Sequence, residues 1–412
     1  MSNLPVIFLK AGYSTACFTN NPLIDHFYGF GHGFERLFKI LKPPEEKIPF
    51  KNYGFVQFKP NKDFTKNIIN TIKLCLDKPN MFTTIIKKII NSIIYYNLNY
   101  YGFLQQDKGL QDTINRMKEW INNTKKPFFI FANIMETHEM YLPFCHHNFL
   151  ISILNFNELL HYLKEVKIRY FTSRNLIEDV KISEKSVRFL RRLYLNEIKY
   201  MDRTLKSFYD FLEDRRLIEN TILVITSDHG QELYEHKALG HPIRFYNTIL
   251  HVPLFLSIPE YDSLVIDSFV SVKDVFKTLT YLALGYQRSQ IINGKLIPPF
   301  GRDLNFALSE TLGDPVFEMK LRNPNSDNEL NGIPLKILRD SFFGGVSVYF
   351  KNYHYFKLTN GHEFLFDFEK DYLENNNILD QKNELIPEDI LKLVNWRVNK
   401  IKFKNLRIKI KL

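Results

Sequence analysis

The chain contains 412 residues with a formal net charge of +10, and 15% of its residues are aromatic. Intrinsically disordered chains are poor in aromatic residues, so this composition excludes a chain that is disordered throughout. No apolar run reaches about 18 residues without a charge, so no transmembrane helix is predicted. The first residues, MSNLP, lack the basic and apolar regions of a signal peptide, which makes the cytoplasm the expected location of the chain as written.

The positive charge is concentrated at the C-terminal end. Residues 397–412 carry seven Lys and Arg residues and no acid, which leaves +3 for the rest of the chain. Apolar and basic residues alternate over 401–412, which predicts an amphipathic strand. Such a strand is either a sheet edge kept soluble by lysines or a contact for anionic lipid or acidic glycan, so peripheral membrane contact through 400–412 is one expectation. The chain has no compact arginine cluster suited to a phosphate backbone, and no nucleic-acid partner is predicted.

The first third of the chain predicts a helix, two strands and an insertion. Residues 6–20 have the pattern of a helix end, a stop at Gly12 and a strand. Residues 60–105, rich in Ile, Lys, Asn and Tyr, are predicted to be a helical insertion. An amphipathic helix is predicted over 109–122, followed by a strand over 128–135 (FFIFANIM) that is buried on both faces.

The middle of the chain alternates helix and strand. Apolar residues at spacings of three and four predict a helix from Leu190 to Leu212. The segments TILVITS (221–227) and VPLFLSI (252–258) predict two more buried strands. This order is typical of an α/β fold with a mostly parallel sheet sandwiched by helices.

The pattern changes near residue 342. Short alternating segments and the Asn360-Gly361 pair predict antiparallel hairpins. We therefore expect an α/β domain over 1–334 and a small α+β subdomain with a basic tail over 335–412.

Polar residues follow the predicted strands, and ligands bind beyond the carboxyl ends of strands in such sheets. Asp228 and His229 come directly after 221–227 and are ordinary ligands of Zn²⁺ or Mn²⁺, while the carboxylate also suits Ca²⁺ or Mg²⁺. Equally, Asp228 could cap the next helix with His229 as its partner. His138 and His241 lie near two other strand ends, where a lone histidine is more often structural, and both are retained as candidates.

Several motifs together resemble the sulfatase family of the alkaline-phosphatase-like superfamily. The segment from Glu197 to Pro253 contains S-D-H-G-x-x-L-x-E-H, G-H and V-P at family-like spacing. Four further segments are similar to family motifs, namely AGYSTACFTNNP (11–22), PFFIFANIMETHEMYLP (127–143), GRDL (301–304) and FDFEKDYLENNNI (366–378). The resemblance covers nearly the whole chain.

The resemblance implies an alkaline-phosphatase-like fold and metal-dependent hydrolysis of sulfate or phosphate esters. It makes Asp228 and His229 metal ligands, and it makes His138 and His241 contacts for the anionic ester or its leaving group. The implied cofactor is one divalent metal, Ca²⁺, Mn²⁺, Zn²⁺ or Mg²⁺. The histidine of Asp-His, where many members have Asp-Asn, favours Mn²⁺ or Zn²⁺. The implied substrate is a sulfated or phosphorylated sugar, lipid or aryl alcohol.

The chain also departs from the family pattern. Members carry a nucleophile before the A-G-Y-x-T motif, which stands here at residue 11. The nucleophile is a Cys or Ser within C/S-x-P-x-R, or a Thr or Ser in the phosphotransferring relatives. The three cysteines, Cys17, Cys75 and Cys145, are not followed by x-P-x-R. We therefore expect a chain that is incomplete or inactive by itself. The alternative is a non-catalytic binding or scaffold protein of the same fold, acting through its basic tail.

Overall fold

The computed structural model describes residues 3–40, 108–139, 141, 161–162, 165, 182–285, 294–301, 305–313, 329–330, 333–334 and 343–411. The helices are α1 (Leu4–Lys10), α2 (Leu110–Asn122), α3 (Glu184–Asp214), α4 (Asn247–Leu250), α5 (Val272–Leu284), α6 (Leu379–Lys382) and α7 (Glu388–Lys411). The strands up to the fifth helix are β1 (Ser14–Thr19), β2 (Arg36–Lys39), β3 (Phe128–Asn133), β4 (Leu223–Thr226), β5 (Glu232–Leu233), β6 (Leu239–Gly240) and β7 (Leu254–Ser257). The later strands are β8 (Phe306–Gly313), β9 (Glu329–Leu330), β10 (Ile333–Pro334), β11 (Phe343–Phe350), β12 (Tyr353–Leu358) and β13 (Glu363–Asp367). The predicted insertion at 60–105 lies outside the described residues.

A parallel sheet forms the centre of the N-terminal part. Strand β1 lies between β2 and β3 and pairs with both in parallel. The predicted turn from helix to strand is confirmed, since Gly12 has a φ of +90° between α1 and β1. Apolar side chains of β1, α2 and α3 form one core, which includes Ala16, Phe18, Ile114, Phe208 and Leu212. The α/β fold class is thereby confirmed.

Helix α3 confirms the clearest helical pattern of the sequence and begins earlier than predicted. The Ser183 side chain accepts a hydrogen bond from the Ser186 backbone N–H at 3.3 Å, which caps the N-terminus. Buried residues then recur along one face, among them Phe189, Leu193 and Leu212.

The strands of the α/β part are less buried than predicted. All six residues of β3 are only half-buried, and among the described strands β3 pairs with β1 alone. Strands β4 and β7 pair with each other and are antiparallel, and Ile225 and Phe255, which face each other, are 37% and 65% exposed. The prediction that these segments are fully buried is therefore wrong, because β3, β4 and β7 are edge strands of the described sheets.

The C-terminal sheet is antiparallel, as the hairpin pattern predicted. Its strand order is β13-β12-β11-β8, and Gly361, with a φ of +100°, lies in the turn between β12 and β13. Because β8 precedes residue 335, this sheet includes a strand from before the predicted boundary. The division into domains at residue 335 remains a prediction.

The basic tail is a helix, so the predicted strand over 401–412 is wrong. Helix α7 runs from Glu388 to Lys411, with Glu388 and Asp389 in its first turn. Residues spaced by three or four along it, Val394, Val398 and Ile401, are buried against the C-terminal sheet. The predicted contact of the tail with anionic lipid or glycan remains a prediction. Within the part of the chain that the structure describes, no helix is both long enough and apolar enough for a membrane span.

Candidate active site

The four residues predicted from the sequence meet in one place. His138 follows β3, Asp228 and His229 follow β4, and His241 follows β6. The ring centroids of His229 and His241 are 4.4 Å apart, those of His138 and His241 are 4.9 Å apart, and those of His138 and His229 are 6.4 Å apart. Three imidazole rings thus form one cluster, and Asp228 lies beside it.

A close backbone approach fixes His229. The Gly230 N–H donates to the Ile249 carbonyl at 2.8 Å, and the Ser227 hydroxyl donates to the His229 carbonyl at 2.7 Å. A Cβ on Gly230 would lie 2.0 Å from the Thr248 carbonyl oxygen. The glycine after the Asp-His pair is therefore needed for the chain to pass α4.

A lysine and a buried acid hold the segment that carries His138. The Lys108 ammonium donates to the carbonyl oxygens of Glu136 at 2.8 Å and of His138 at 2.5 Å. Glu136 is buried, and its Oε1 accepts from the Leu110 N–H at 2.9 Å, in the first turn of α2. Sequence reasoning missed both supporting residues, because Lys108 lies about thirty residues before the strand end that it holds.

The hydrogen bonds of the rings define their tautomers. His138 Nδ1 lies 2.6 Å from the Glu139 carbonyl oxygen, and His229 Nδ1 lies 2.9 Å from the Gly230 carbonyl oxygen. A carbonyl oxygen accepts only, so each Nδ1 carries a proton. In the neutral rings this leaves the Nε2 lone pairs of His138 and His229 available to a metal ion or a donor.

Glu139 is a further residue of the cluster, and the sequence analysis assigned it no role. Its Oε1 lies 3.4 Å from His241 Nε2, and its Oε2 lies 3.4 Å from His138 Nδ1. The Nε2 atoms of His138 and His241 are 3.0 Å apart. Among the described residues, His138, Glu139 and His241 each offer a ligand atom within 4.8 Å of the others. The only signal in the sequence was that Glu139 is adjacent to His138.

The side chains of Asp228 and His229 are also suitable ligands for a divalent metal, and they would supply two of its ligands. Asp228 Oδ1 lies 3.8 Å from His229 Nε2, and the Asp228 side chain is 70% exposed at the mouth of the cluster. Asp228 Oδ1 also accepts from the His229 backbone N–H at 3.0 Å. An ion between the carboxylate and the Nε2 lone pair would complete its coordination sphere with other ligands.

Burial sets the protonation of His241. The loss of solvent lowers the pKa of His241 below its usual value, and the nearby rings of His229 and His138 lower it further. The carboxylates of Glu139 and Asp228 act in the opposite direction without offsetting this effect. His241 is therefore neutral at neutral pH.

The fold is similar to that of two solved structures. The phosphonate monoester hydrolase of Agrobacterium radiobacter superposes with a TM-score of 0.58 at 14% identity, covering 98% of this chain and 80% of that one. A putative sulfatase from Bacteroides thetaiotaomicron superposes with a TM-score of 0.53 at 16% identity, covering 100% of this chain and 76% of that one. At these identities the likeness establishes the fold, which is that of the sulfatases.

The sequence gives the family. The family model described as Sulfatase matches residues 1–286, and this chain belongs to that family. Arylsulfatase K of Bos taurus is 24% identical over 215 residues, which are 48% of this chain and 39% of that protein. The match therefore spans less than half of the length of this curated relative.

Proposed function

We propose that this chain carries the metal-binding and anion-binding side of a site that hydrolyses sulfate esters, with phosphate esters as substrates of the same chemistry. The observation that carries the proposal is the convergence of His138, His229 and His241 beside Asp228, at strand ends of a chain of the Sulfatase family. The names of an arylsulfatase and of a phosphonate monoester hydrolase among the similar proteins support this substrate class. The alcohol of the ester would be a sugar, a lipid or a phenol.

Asp228 and His229 would hold the divalent metal in this proposal. Their contact at 3.8 Å and the exposed carboxylate support that role, and the Nδ1–H of His229 is already used by the Gly230 carbonyl. When bound, the metal polarises an ester oxygen and stabilises the charge that develops there. The imidazole ligand favours Mn²⁺ or Zn²⁺ over Ca²⁺.

His241 and His138 would contact the ester anion. Two Nε2 atoms 3.0 Å apart must share one proton, and His138 already carries its proton on Nδ1. The shared proton therefore belongs to His241 Nε2. In the substrate complex this N–H would turn from His138 to an ester oxygen, where it stabilises the anion and assists the leaving alcohol.

None of the three cysteines is suited to be the nucleophile that attacks the ester. None of the three is followed by x-P-x-R, and Cys75 and Cys145 lie outside the described residues. Cys17 is buried in β1, and burial raises the pKa of its thiol to about 12, so the thiolate nucleophile does not form at neutral pH. We propose that the residues of the histidine cluster bind the ester and that turnover requires a nucleophile that this chain does not supply.

Binding and turnover of 4-nitrophenyl sulfate in the presence of Mn²⁺ test both parts. We expect the wild-type chain to bind the ester without releasing nitrophenolate, and H241Q to bind it more than about tenfold more weakly, since a hydrogen bond to a charged group is worth roughly 1.5–3 kcal/mol. H362Q, at an exposed histidine in the turn after β12, is the matched control and should bind as wild type does. Equal affinity in wild type and H241Q would contradict the anion site, and metal-dependent turnover by the wild type would contradict the external nucleophile.

A further inference from the structure

We infer that His138, Glu139 and His241 form a binding site of their own for a divalent ion such as Zn²⁺, separate from the pair Asp228 and His229. The site shares the cleft of the proposed function without depending on it, because binding of the ion requires no ester.

The two imidazole nitrogens have the spacing of ligands on one ion. His138 Nε2 and His241 Nε2 are 3.0 Å apart. Zinc–nitrogen bonds of about 2.0–2.1 Å in a tetrahedral arrangement place two nitrogens about 3.3 Å apart. The Glu139 Oε1 atom lies 3.4 Å from His241 Nε2, which is the same separation for a third ligand. Both of these separations lie within a few tenths of an ångström of the value for a tetrahedral zinc site.

His138 has the second hydrogen bond that metal-binding histidines use. Its Nδ1 lies 2.6 Å from the Glu139 carbonyl oxygen. Such a bond fixes the tautomer, leaves Nε2 unprotonated and holds the ring at a constant angle. The Lys108 ammonium, which donates to the His138 carbonyl at 2.5 Å, fixes the backbone of the same residue. The first ligand is thus held in place before any ion binds.

The Glu139 carboxylate needs a partner. Its Oε2 atom is inaccessible to solvent and receives no hydrogen bond in the part of the chain that the structure describes. His138 Nδ1, at 3.4 Å, already donates to the Glu139 carbonyl oxygen instead. A buried carboxylate oxygen without a donor costs about 1–3 kcal/mol or more, and a bound cation is one of the explanations for such an atom. A divalent ion bound to the neighbouring Oε1 atom would offset part of this cost by neutralising the charge of the carboxylate.

The composition of the set matches an open zinc site. Two histidines and one glutamate are a combination that holds catalytic Zn²⁺, with the fourth position left for water or a substrate atom. Imidazole ligands favour Zn²⁺ over Mg²⁺ and Ca²⁺, which take oxygen ligands. Because His241 Nε2 carries the shared proton in the ion-free site, binding of the ion would release this proton or move it to Nδ1, and His138 and His241 would then act on an ester anion through the ion.

Titration of the metal-free full chain with Co²⁺, followed by its visible absorption band, tests the inference without any ester. We expect one Co²⁺ bound at His138, Glu139 and His241, which Zn²⁺ displaces. H138Q, E139Q and H241Q should each weaken its binding more than about 100-fold, because loss of a supporting partner alone costs 10–100-fold. D228N should retain the band, and so should H362Q, the matched control.

Two results would overturn the inference: no band in wild type, or a band that E139Q retains and D228N abolishes. Circular dichroism melts of each variant separate loss of a ligand from loss of the fold, and E139Q keeps the shape of the side chain. A chain that binds Co²⁺ in this pattern but fails to bind 4-nitrophenyl sulfate would support the ion site and contradict the proposed function.

Discussion

Gly230 is the residue on which the position of His229 depends most directly. A Cβ there would meet the Thr248 carbonyl oxygen at 2.0 Å, which is backbone and cannot rotate away. We expect Gly230→Ala to lower the free energy of unfolding by more than about 2 kcal/mol and to abolish binding of 4-nitrophenyl sulfate, because the Asp-His segment must move. Urea unfolding and equilibrium binding measure the two effects.

Gly361→Ala is the control for that substitution. Gly361 has a φ of +100° and an open surrounding, so alanine there introduces backbone strain of about 1–2 kcal/mol without a clash. The anion affinity of Gly361→Ala should equal that of wild type. A Gly230→Ala protein with normal ester binding would show that His229 does not need this backbone path.

The pair of Glu232 and His236 predicts a pH dependence of stability. Burial lowers the pKa of His236, but the hydrogen bond and charge of the Glu232 carboxylate raise it more, with help from the Leu373 carbonyl. A folded-state pKa above the unfolded value means that this contribution to stability is complete below about pH 6.5 and is lost as pH rises through the folded pKa. We expect the difference in unfolding free energy between wild type and His236→Gln to become smaller as the pH rises through the folded-state pKa of His236. Urea unfolding at a series of pH values measures it, and parallel pH profiles would contradict the assignment.

At this scale the sequence predicted only the residues that belong to motifs. Asp228, His229, His138 and His241 stand beside strand ends, and the structure brings them into one cluster. Glu139 could not be assigned, because only the fold shows that its carboxylate turns toward His241. Their chemical roles remain predictions.

A buried network ties two strands of the C-terminal sheet, β11 and β12, to Glu374 in the segment after β13. His354 Nδ1 contacts Glu374 Oε1 at 2.5 Å, and His354 Nε2 contacts the Ser347 hydroxyl at 2.6 Å. These residue types in this order resemble a catalytic triad. However, all three side chains are buried, with at most 2% exposure, so no substrate reaches them. The Glu374 Oε2 atom also accepts from the Asn247 N–H at 2.7 Å, which connects this sheet to α4.

Removal of the Glu374 carboxylate should therefore lower the free energy of unfolding. We expect Glu374→Ala to lower the free energy of unfolding by about 3–5 kcal/mol, since it leaves a buried histidine and an N–H without their partner. Glu384→Ala, at an exposed acid nearby, should change it by no more than about 0.5 kcal/mol. Urea denaturation compares the two, and equal stabilities would show that the network contributes nothing.

Helix α7 shows why a local pattern can mislead. The alternation over 401–412 indicated a strand, but the helix begins at Glu388 and its buried positions, Ile390, Val394, Val398 and Ile401, follow a helical spacing. The packing of residues 390–401 on the C-terminal sheet stabilises the helix. The helix then continues into the tail, because adding a residue to an existing helix costs less free energy than forming its first turn. The apolar spacing that defines the helix lies in residues 390–401, mostly before the alternating tail.

The packing of α7 can be tested at Ile390. This side chain is 7% exposed and belongs to the core between the helix and the C-terminal sheet. We expect Ile390→Ala to lower the free energy of unfolding by about 2–5 kcal/mol. Asn399→Ala, on the exposed side of the same helix, should stay within about 0.5 kcal/mol of wild type. Chemical denaturation of both variants provides the comparison, and a stable Ile390→Ala would contradict the observed packing.

For the whole molecule, the alternation of helix and strand was enough to predict the α/β class. It did not predict that β4 and β7 are antiparallel or that β3 is only half-buried. Apolar runs show that a segment is suited to burial, whereas direction and coverage depend on neighbours far along the chain. The antiparallel C-terminal sheet was easier to predict, because its hairpin turn is local.

The proposed function requires that an ester anion binds at the cluster of His138, His229 and His241. A crystal of the chain grown with tungstate, a tetrahedral analogue of sulfate, gives an anomalous signal that locates the anion directly. We expect the tungsten peak beside His241 and His138, with tungstate oxygens about 3 Å from a ring nitrogen. A peak only along helix α7, or no peak at the cluster in saturating tungstate, would contradict it.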